Sequence, residues 1–256
     1  EVSKTLIKTA DLMVIRDPYV ILGLVIIGVF ILFVFSKMPD SKDKSSNINT
    51  GIIFKKLAKN SRYSQGVIAQ IFYVGAQIMC WTYIYQYAEG IGIDNVSAGY
   101  YQMAAFVLFV IGRAIATFLF RFFNPGKLLM IFALFAIVSS LGVMLINNYL
   151  GLYCLVAVSL FMSLMFPTIY GIALGNLSEE ESKIGSAGLV MAIVGGALMP
   201  KLQGMIIDIG GYNVDDVSIL GMSEMNFSFI LPLLCFVFIA IYGLNSNTVV
   251  KNEIIS

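Results

Sequence analysis

Residues 20–35 read VILGLVIIGVFILFVF, sixteen residues without a charged or hydrogen-bonding side chain. A helix of about 20 apolar residues crosses the hydrocarbon core of a bilayer, and this run supplies most of that length. Apolar and polar side chains do not alternate along it, which disfavours a strand of a membrane barrel. Because backbone groups in lipid must be hydrogen-bonded within the protein, the stretch predicts a transmembrane helix.

The rest of the chain repeats this pattern. Of the 256 residues, 59% are hydrophobic and 12% are charged, whereas soluble domains carry about 25% charged residues. The sequence therefore predicts an all-α membrane protein. Counting the first run, it has seven apolar stretches long enough to span a bilayer, near residues 18–36, 66–88, 98–121, 128–147, 149–174, 185–207 and 226–245.

Lys and Arg are distributed unevenly between the two sides that these spans define. Cytoplasmic loops of membrane proteins carry an excess of both residues. With the segment after the first span placed in the cytoplasm, the opposite side holds three of them, Lys4, Lys8 and Arg16. The cytoplasmic side then holds eleven: Lys37, Lys42, Lys44, Lys55, Lys56, Lys59, Arg62, Arg121, Lys127, Lys183 and Lys251. We therefore predict a multi-pass protein of the cell inner (plasma) membrane with a cytoplasmic C-terminus.

The spacing of the spans predicts four segments. Residues 1–36 form an extracellular segment and one helix, and residues 37–65 form a basic cytoplasmic linker with a short amphipathic helix near 55–62. Residues 66–245 form a six-helix bundle, and residues 246–256 a cytoplasmic tail. The chain opens on Glu1 without a signal-peptide pattern, so we expect a piece of a longer protein. One helix, a basic linker and a six-helix bundle are what we expect of a transporter with two six-helix bundles that lacks its first five helices.

Several other functions lack their usual residues. The chain has no His, and Cys80, Cys154 and Cys235 lie in apolar runs without C-x-x-C spacing. We therefore expect no enzyme active site, no metal and no cofactor. No G-x-x-x-x-G-K-[ST] motif for an ATP-driven pump is present, and a net charge of +1 gives no reason to expect nucleic acid.

Amide and aromatic side chains share one face of the second span. Gln70, Gln77, Trp81 and Tyr85 follow one another at helical spacing. Amides hydrogen-bond to sugar hydroxyls, and an indole ring stacks on the apolar face of a sugar, so Gln77 and Trp81 are candidate binding residues. The alternative is helix–helix hydrogen bonding and an aromatic belt at the membrane interface. That belt is expected near the outer end, at Tyr83, Tyr85 and Tyr87.

Two cations and two prolines lie inside the predicted spans. Arg113 is expected either to donate to backbone carbonyls or to act at an inner gate, and Lys201 either to anchor the helix or to face a cavity. The spans contain no carboxylate that could pair with either cation. Pro167 and Pro200 are expected to interrupt the fifth and sixth spans, as breaks do at transporter binding sites.

Short motifs follow one another in a characteristic order along the last six spans. They are Gly75-Ala76-Gln77, Cys80-Trp81, Gly112-Arg113, Phe161-Met162-Ser163 before Pro167-Thr168-Ile169, Gly175-Asn176-Leu177, Gly185-Ser186 and Gly195-Gly196. In these the chain resembles the fucose–galactose–glucose:proton symporter family of the major facilitator superfamily, from the basic linker to about residue 240. The resemblance implies two six-helix bundles, alternating access and a central monosaccharide site. It also implies proton coupling by two carboxylates of the first and fourth helices, which would precede Glu1.

The resemblance also indicates which residues bind the sugar. By matching position they are Trp81, Phe109 and the aromatic residue before the proline, Phe166. Fucose transporters of the family have Tyr at that last position, and Tyr170, one turn on, would supply a hydroxyl instead. We therefore predict a substrate site of Gln77, Trp81, Phe109, Phe166 and Tyr170. The other expected partners are the proton, the lipid bilayer and the missing N-terminal bundle.

Other functions stay open at this stage. An exporter of drugs or of another small solute would have a hydrophobic cavity with few amides. A seven-helix receptor or a retinal protein would match the number of spans. A retinal protein needs a Schiff-base Lys in its last helix and a carboxylate counter-ion, and the seventh span has neither.

Overall fold

The computed structural model describes residues 2–35, 50–209 and 218–255. The chain forms two compact units, residues 1–47 and residues 48–256. In the first unit, helix α1 spans Val2–Phe35 and exposes nearly all of its described apolar side chains after residue 18. Residues 37–49 of the predicted linker lie outside the described residues.

The second unit is helical wherever the structure describes it, apart from short connections and one bridge between Ile219 and Met222. A one-turn 3₁₀ helix, Ala192–Val194, joins two of its α-helices. The α-helices are α2 (Thr50–Lys59), α3 (Ser61–Thr82), α4 (Ile84–Gly90), α5 (Asn95–Leu119), α6 (Pro125–Leu145), α7 (Tyr149–Met162), α8 (Met165–Leu174), α9 (Glu179–Met191), α10 (Gly195–Ile207), α11 (Glu224–Ser228) and α12 (Ile230–Ile255).

Helices long and apolar enough to cross a membrane match most of the predicted spans. Among the described residues there are five: Asn95–Leu119, Pro125–Leu145, Tyr149–Leu174, Glu179–Ile207 and Glu224–Ser246. A sixth is present if α3 and α4, which meet at a bend of 41°, count as one span. The predicted first span falls on the apolar stretch Tyr19–Leu32 of α1, which is shorter than these.

Both spans that contain a proline are interrupted, but only the break in the fifth lies where its proline removes a hydrogen bond. The fifth span is divided into α7 and α8 at Ser163 and Leu164, shortly before Pro167. The sixth is divided by the 3₁₀ turn, and Pro200 lies inside α10. Proline lacks the N–H that would bond to the carbonyl four residues earlier, so Pro167 leaves the carbonyl of Ser163, and Pro200 that of Gly196, without its helical donor.

Helix α3 lies near the centre of the second unit and packs against α8, α10 and α12, while α5 packs on α7 and α6 on α12. Small residues permit the contact between α3 and α10. A Cβ atom on Gly75 would lie 2.5 Å from Cγ of Met199, and one on Gly196 would lie 3.0 Å from Cγ1 of Ile78. The absence of a side chain at these glycines therefore permits the close approach of the two helices.

The prediction of an aromatic belt is wrong for two of its three tyrosines. Tyr83 and Tyr87 are buried, and their hydroxyls donate to the backbone oxygens of Pro200 and Ile146. Only Tyr85, at 40% exposure, has a ring open to the surroundings. Residues four apart share a helix face, and here that face meets neighbouring helices rather than the membrane interface.

The basic linker ends in ordered helices. Helix α2, at Thr50–Lys59, begins and ends earlier than the short amphipathic helix predicted near 55–62, and Lys56 on it pairs with Glu181 at 2.6 Å. Glu181 also completes a capping box with Ser178 at the start of α9. Helix α3 begins at Ser61, before the predicted boundary at 66, and α12 continues through the predicted tail to Ile255.

Candidate functional site

Trp81, near the end of α3, is held by three neighbours from two other helices. Its ring meets the rings of Phe106 and Phe109 on α5 edge to face, with centroids 4.9 Å and 5.2 Å apart. The indole Nε1 donates to Oγ of Ser159 on α7 at 3.1 Å. The ring remains partly exposed, so these contacts fix its orientation without covering it.

Gln77 lies one turn before Trp81 on the same helix. Its side chain is partly exposed and makes no hydrogen bond to any residue that the structure describes. A primary amide offers two donors and one acceptor oxygen, and all of them remain available here. Gln70, two turns earlier, is fully buried, and neither end of its amide has a described partner. The two glutamines of the predicted face therefore have different environments, and only Gln77 is accessible.

Arg113 replaces a hydrogen bond that Pro167 removes. The carbonyl four residues before Pro167 belongs to Ser163, and no proline N–H can reach it. Arg113, on α5, donates to this oxygen from Nη2 at 3.1 Å and from Nε at 3.3 Å. Of the two roles expected for Arg113, this geometry matches donation to a backbone carbonyl.

The close approach of α5 to this break depends on Gly112. A Cβ atom there would lie 2.5 Å from the carbonyl oxygen of Leu160 and 2.6 Å from Oγ of Ser163. The guanidinium of Arg113 also lies over the ring of Phe109, 5.3 Å from its centroid. This cation–π contact joins Arg113 to the aromatic group around Trp81, so that group and the break in the fifth span form one structure.

A second aromatic group surrounds Phe166, just before the proline. Its ring stacks on Tyr170 with centroids 6.4 Å apart and planes 12° apart. Its other neighbour is Tyr73 on α3, 6.0 Å away. Tyr73 is buried, and its hydroxyl has no partner among the residues described. The aromatic neighbours of Phe166 are thus two tyrosines, Tyr73 and Tyr170, each of which carries a hydroxyl.

Two residues of this site, Tyr73 and Ser159, were not predicted from the sequence. Tyr73 stands four residues before Gln77 and eight before Trp81, so the same helical spacing indicated it. Ser159 had no such signal, because its only distinguishing feature is the bond to an indole 78 residues away.

Lys201 is not part of this group. Its side chain on α10 is exposed, and no hydrogen bond or ion pair joins it to a residue in the described ranges. The roles suggested for it, an anchor or a cavity residue, are not distinguished by this position. Among the described residues, no three His, Cys, Asp or Glu side chains lie close enough together to hold a metal ion.

Known proteins resemble this chain along most of its length. A model of the Major Facilitator Superfamily matches residues 12–200. The L-fucose-proton symporter of Haemophilus influenzae is 50% identical over 252 residues, which cover 98% of this chain and 57% of that protein. The glucose/galactose transporter of Brucella abortus is 28% identical, over 90% of this chain and 53% of its own length.

A solved structure gives the same result for the fold. The crystal structure of the Escherichia coli fucose:proton symporter matches with a TM-score of 0.76 at 30% identity, over 90% of this chain and 55% of that one. This chain spans about half the length of the relatives that it matches. With its apolar helices and interrupted spans, it is a multi-pass membrane protein of the Major Facilitator Superfamily.

Proposed function

We propose that this chain forms part of a carrier that moves a monosaccharide across the membrane together with a proton, and that it has no enzymatic activity. Relatives named as L-fucose-proton symporters and as a glucose/galactose transporter support this class of substrate. The chemistry of the partly exposed surface on α3 and α5 supports it independently. The proposed site consists of Gln77, Trp81 and Phe109, with Phe166 and Tyr170 beside the proline.

The observation that carries the proposal is the free amide of Gln77 beside the fixed ring of Trp81. A sugar presents a ring of hydroxyls and an apolar face of C–H groups. The amide can accept from one hydroxyl and donate to the next, while the indole covers the apolar face. Because Nε1 of Trp81 is already bonded to Ser159, the ring is oriented before substrate arrives, and less entropy is lost on binding.

The proton would be handled elsewhere in the protein. The seven predicted spans contain no Asp or Glu, so none of them offers a carboxylate within the membrane. We infer that the coupling carboxylates belong to an N-terminal bundle, and that α1 is the last helix of that bundle. We propose the four segments from the spacing of the spans, and the inner-membrane location and cytoplasmic C-terminus from the distribution of Lys and Arg.

The interruptions give the carrier a place to bend. The carbonyl of Ser163 is bonded to a guanidinium on α5 instead of to its own helix. A bond between helices can break and reform as the helices move, whereas a bond inside a helix resists bending. We propose that Arg113 supports the break in this way during alternating access.

Uptake by cells without their own sugar permeases tests the function. In the full-length protein, Gln77→Ala and Trp81→Ala should each lower transport of the preferred sugar about ten-fold, the loss expected for roughly 1.4 kcal/mol. Gln65→Ala and Phe118→Ala are matched controls, because both side chains are exposed at other places on α3 and α5. Normal uptake by both site variants at equal expression would reject the site. Export of a drug instead of sugar uptake would favour the second candidate function.

A further inference from the structure

An arginine whose shielded nitrogens have no hydrogen-bond acceptor lies at the start of α3. The guanidinium nitrogens Nε and Nη1 of Arg62 are hidden from solvent, and neither donates to a residue in the described part of the chain. Arginine stays charged in proteins and carries five N–H donors. A shielded, charged donor without an acceptor is strongly destabilising, so a negatively charged ligand is expected to complete this site.

Two adjoining cavities meet at Arg62. The larger, of about 500 Å³, has mainly apolar walls that include Phe120, Pro167 and Ile172. The smaller, of about 420 Å³, is lined by Asn60, Tyr242, Asn245 and Ser246. Arg62 and Ser246 line both. The arginine therefore stands at the boundary between a polar space and an apolar one.

Tyr242 supplies a second unused polar group to the same place. Its side chain is 2% exposed, and its hydroxyl has no hydrogen-bond partner among the described residues. Tyr242 and Arg62 both line the smaller cavity, so an oxyanion bound there would have two possible donors. Phosphate suits such a pair, because its several oxygens accept from the planar guanidinium and from a neighbouring O–H together.

The surroundings indicate where the phosphate comes from. The apolar cavity beside Arg62 suits the acyl chain of a lipid. Helix α2, which ends two residues before α3 begins, presents the exposed side chains of Lys55 and Lys59. Basic pockets between transmembrane helices on the cytoplasmic side bind lipid headgroups. The distribution of Lys and Arg assigns this end of the bundle to that side.

We propose that Arg62 and Tyr242 bind a phosphate group at this end of the helical bundle, and that the group belongs to an anionic phospholipid whose chain occupies the apolar cavity. The proposal adds a second ligand site to the sugar carrier and rests on the membrane location and orientation given above. It does not depend on the identity of the sugar.

Thermal unfolding of the purified full-length protein in detergent tests the proposal. Phosphatidylglycerol should raise the unfolding midpoint by about 5 °C, whereas zwitterionic phosphatidylcholine should not. Arg62→Gln should remove most of this shift and Tyr242→Phe should reduce it. Arg121→Gln, which removes an exposed guanidinium from the loop after α5, should keep the shift. Tyr242→Phe deletes one oxygen atom, so the test remains decisive if Arg62→Gln does not fold.

Sodium phosphate in place of lipid separates the two sources of the anion. No shift with phosphate, against NaCl of equal ionic strength, supports a lipid site. An equal, Arg62-dependent shift with phosphate would keep the anion site and reject the lipid. The proposal is overturned if phosphatidylglycerol has no effect, or if it shifts the Arg62→Gln, Tyr242→Phe and unmodified proteins equally. Because no sugar is present, failure here leaves the proposed transport function untouched.

Discussion

Replacing Arg113 with Met removes the two N–H groups that reach the carbonyl of Ser163, while much of the length of the side chain is kept. A hydrogen bond from a charged group contributes about 1.5–3 kcal/mol, and the exposure of Arg113 favours the lower end of that range. We therefore expect Arg113→Met to lower the free energy of unfolding by about 1.5 kcal/mol. Arg121→Met, at an exposed loop position, should have almost no effect.

Arg113→Met should lower the free energy of unfolding by a smaller amount when residue 167 can donate its own N–H. Pro167→Ala restores an N–H four residues after Ser163, and the next bond of that helix, from Thr168 to Leu164, already has a length of 3.2 Å. In this background Arg113→Met should cost less than about 0.5 kcal/mol, which gives a coupling of about 1 kcal/mol between the two positions.

The free energy of unfolding of all four proteins of this cycle can be measured in mixed micelles. Dodecyl sulfate unfolds the full-length protein, and circular dichroism follows the loss of helix. If the cost of Arg113→Met in the Pro167→Ala background equals its cost in the unmodified protein within about 0.3 kcal/mol, the arginine does not replace the lost backbone bond. The double variant also tests transport. If the bond between helices assists bending, its uptake should be slower than that of the unmodified protein at equal expression.

Other positions give shorter tests. Gly112→Ala would place a Cβ atom 2.5 Å from a backbone oxygen of α7, and we expect a loss of about 1–3 kcal/mol in unfolding free energy. A Cβ atom added at Gly171 would meet nothing within 4 Å, so Gly171→Ala should raise the free energy of unfolding. Equal effects of Gly112→Ala and Gly171→Ala would reject the packing argument. Gln70→Leu removes a buried amide without described partners and should raise stability by about 1 kcal/mol, so a clear loss would indicate an unseen partner. Phe166→Tyr should shift uptake towards fucose relative to galactose and glucose; unchanged ratios would exclude this position as a selector.

Much of the fold could be predicted because lipid restricts the possibilities. Backbone groups in a bilayer must bond within the protein, so apolar length alone predicted the helices of the second unit. The break in the fifth span followed from Pro167, which cannot donate to Ser163, whereas the 3₁₀ turn of the sixth span ends six residues before Pro200, which lies inside α10. The donor that bonds to Ser163 could not be read in this way, because Arg113 lies 50 residues away and only packing brings it near. The position of a proline in the sequence shows which carbonyl loses its helical donor, but it does not show which side chain donates instead.

The wrong belt prediction has the same origin. Tyr83, Tyr85 and Tyr87 resemble an interface pattern by composition, yet only residues four apart share a helix face. Which face meets protein and which meets lipid is decided by neighbouring helices, and these are not visible in a single segment. Tyr73 was missed although it lies at the same helical spacing, since a tyrosine in an apolar run is usually packing and the sequence does not show that its hydroxyl is unbonded.

The central claim is tested most directly by calorimetry, which measures the affinity of the purified full-length protein for L-fucose, galactose and glucose. The Gln77→Ala variant is the comparison. The account predicts that at least one of these sugars binds, and that the variant binds it about ten-fold more weakly, since one or two hydrogen bonds to sugar hydroxyls are lost. Equal affinity in the two proteins, or no binding of any of the three sugars, would contradict the assignment of the site on α3.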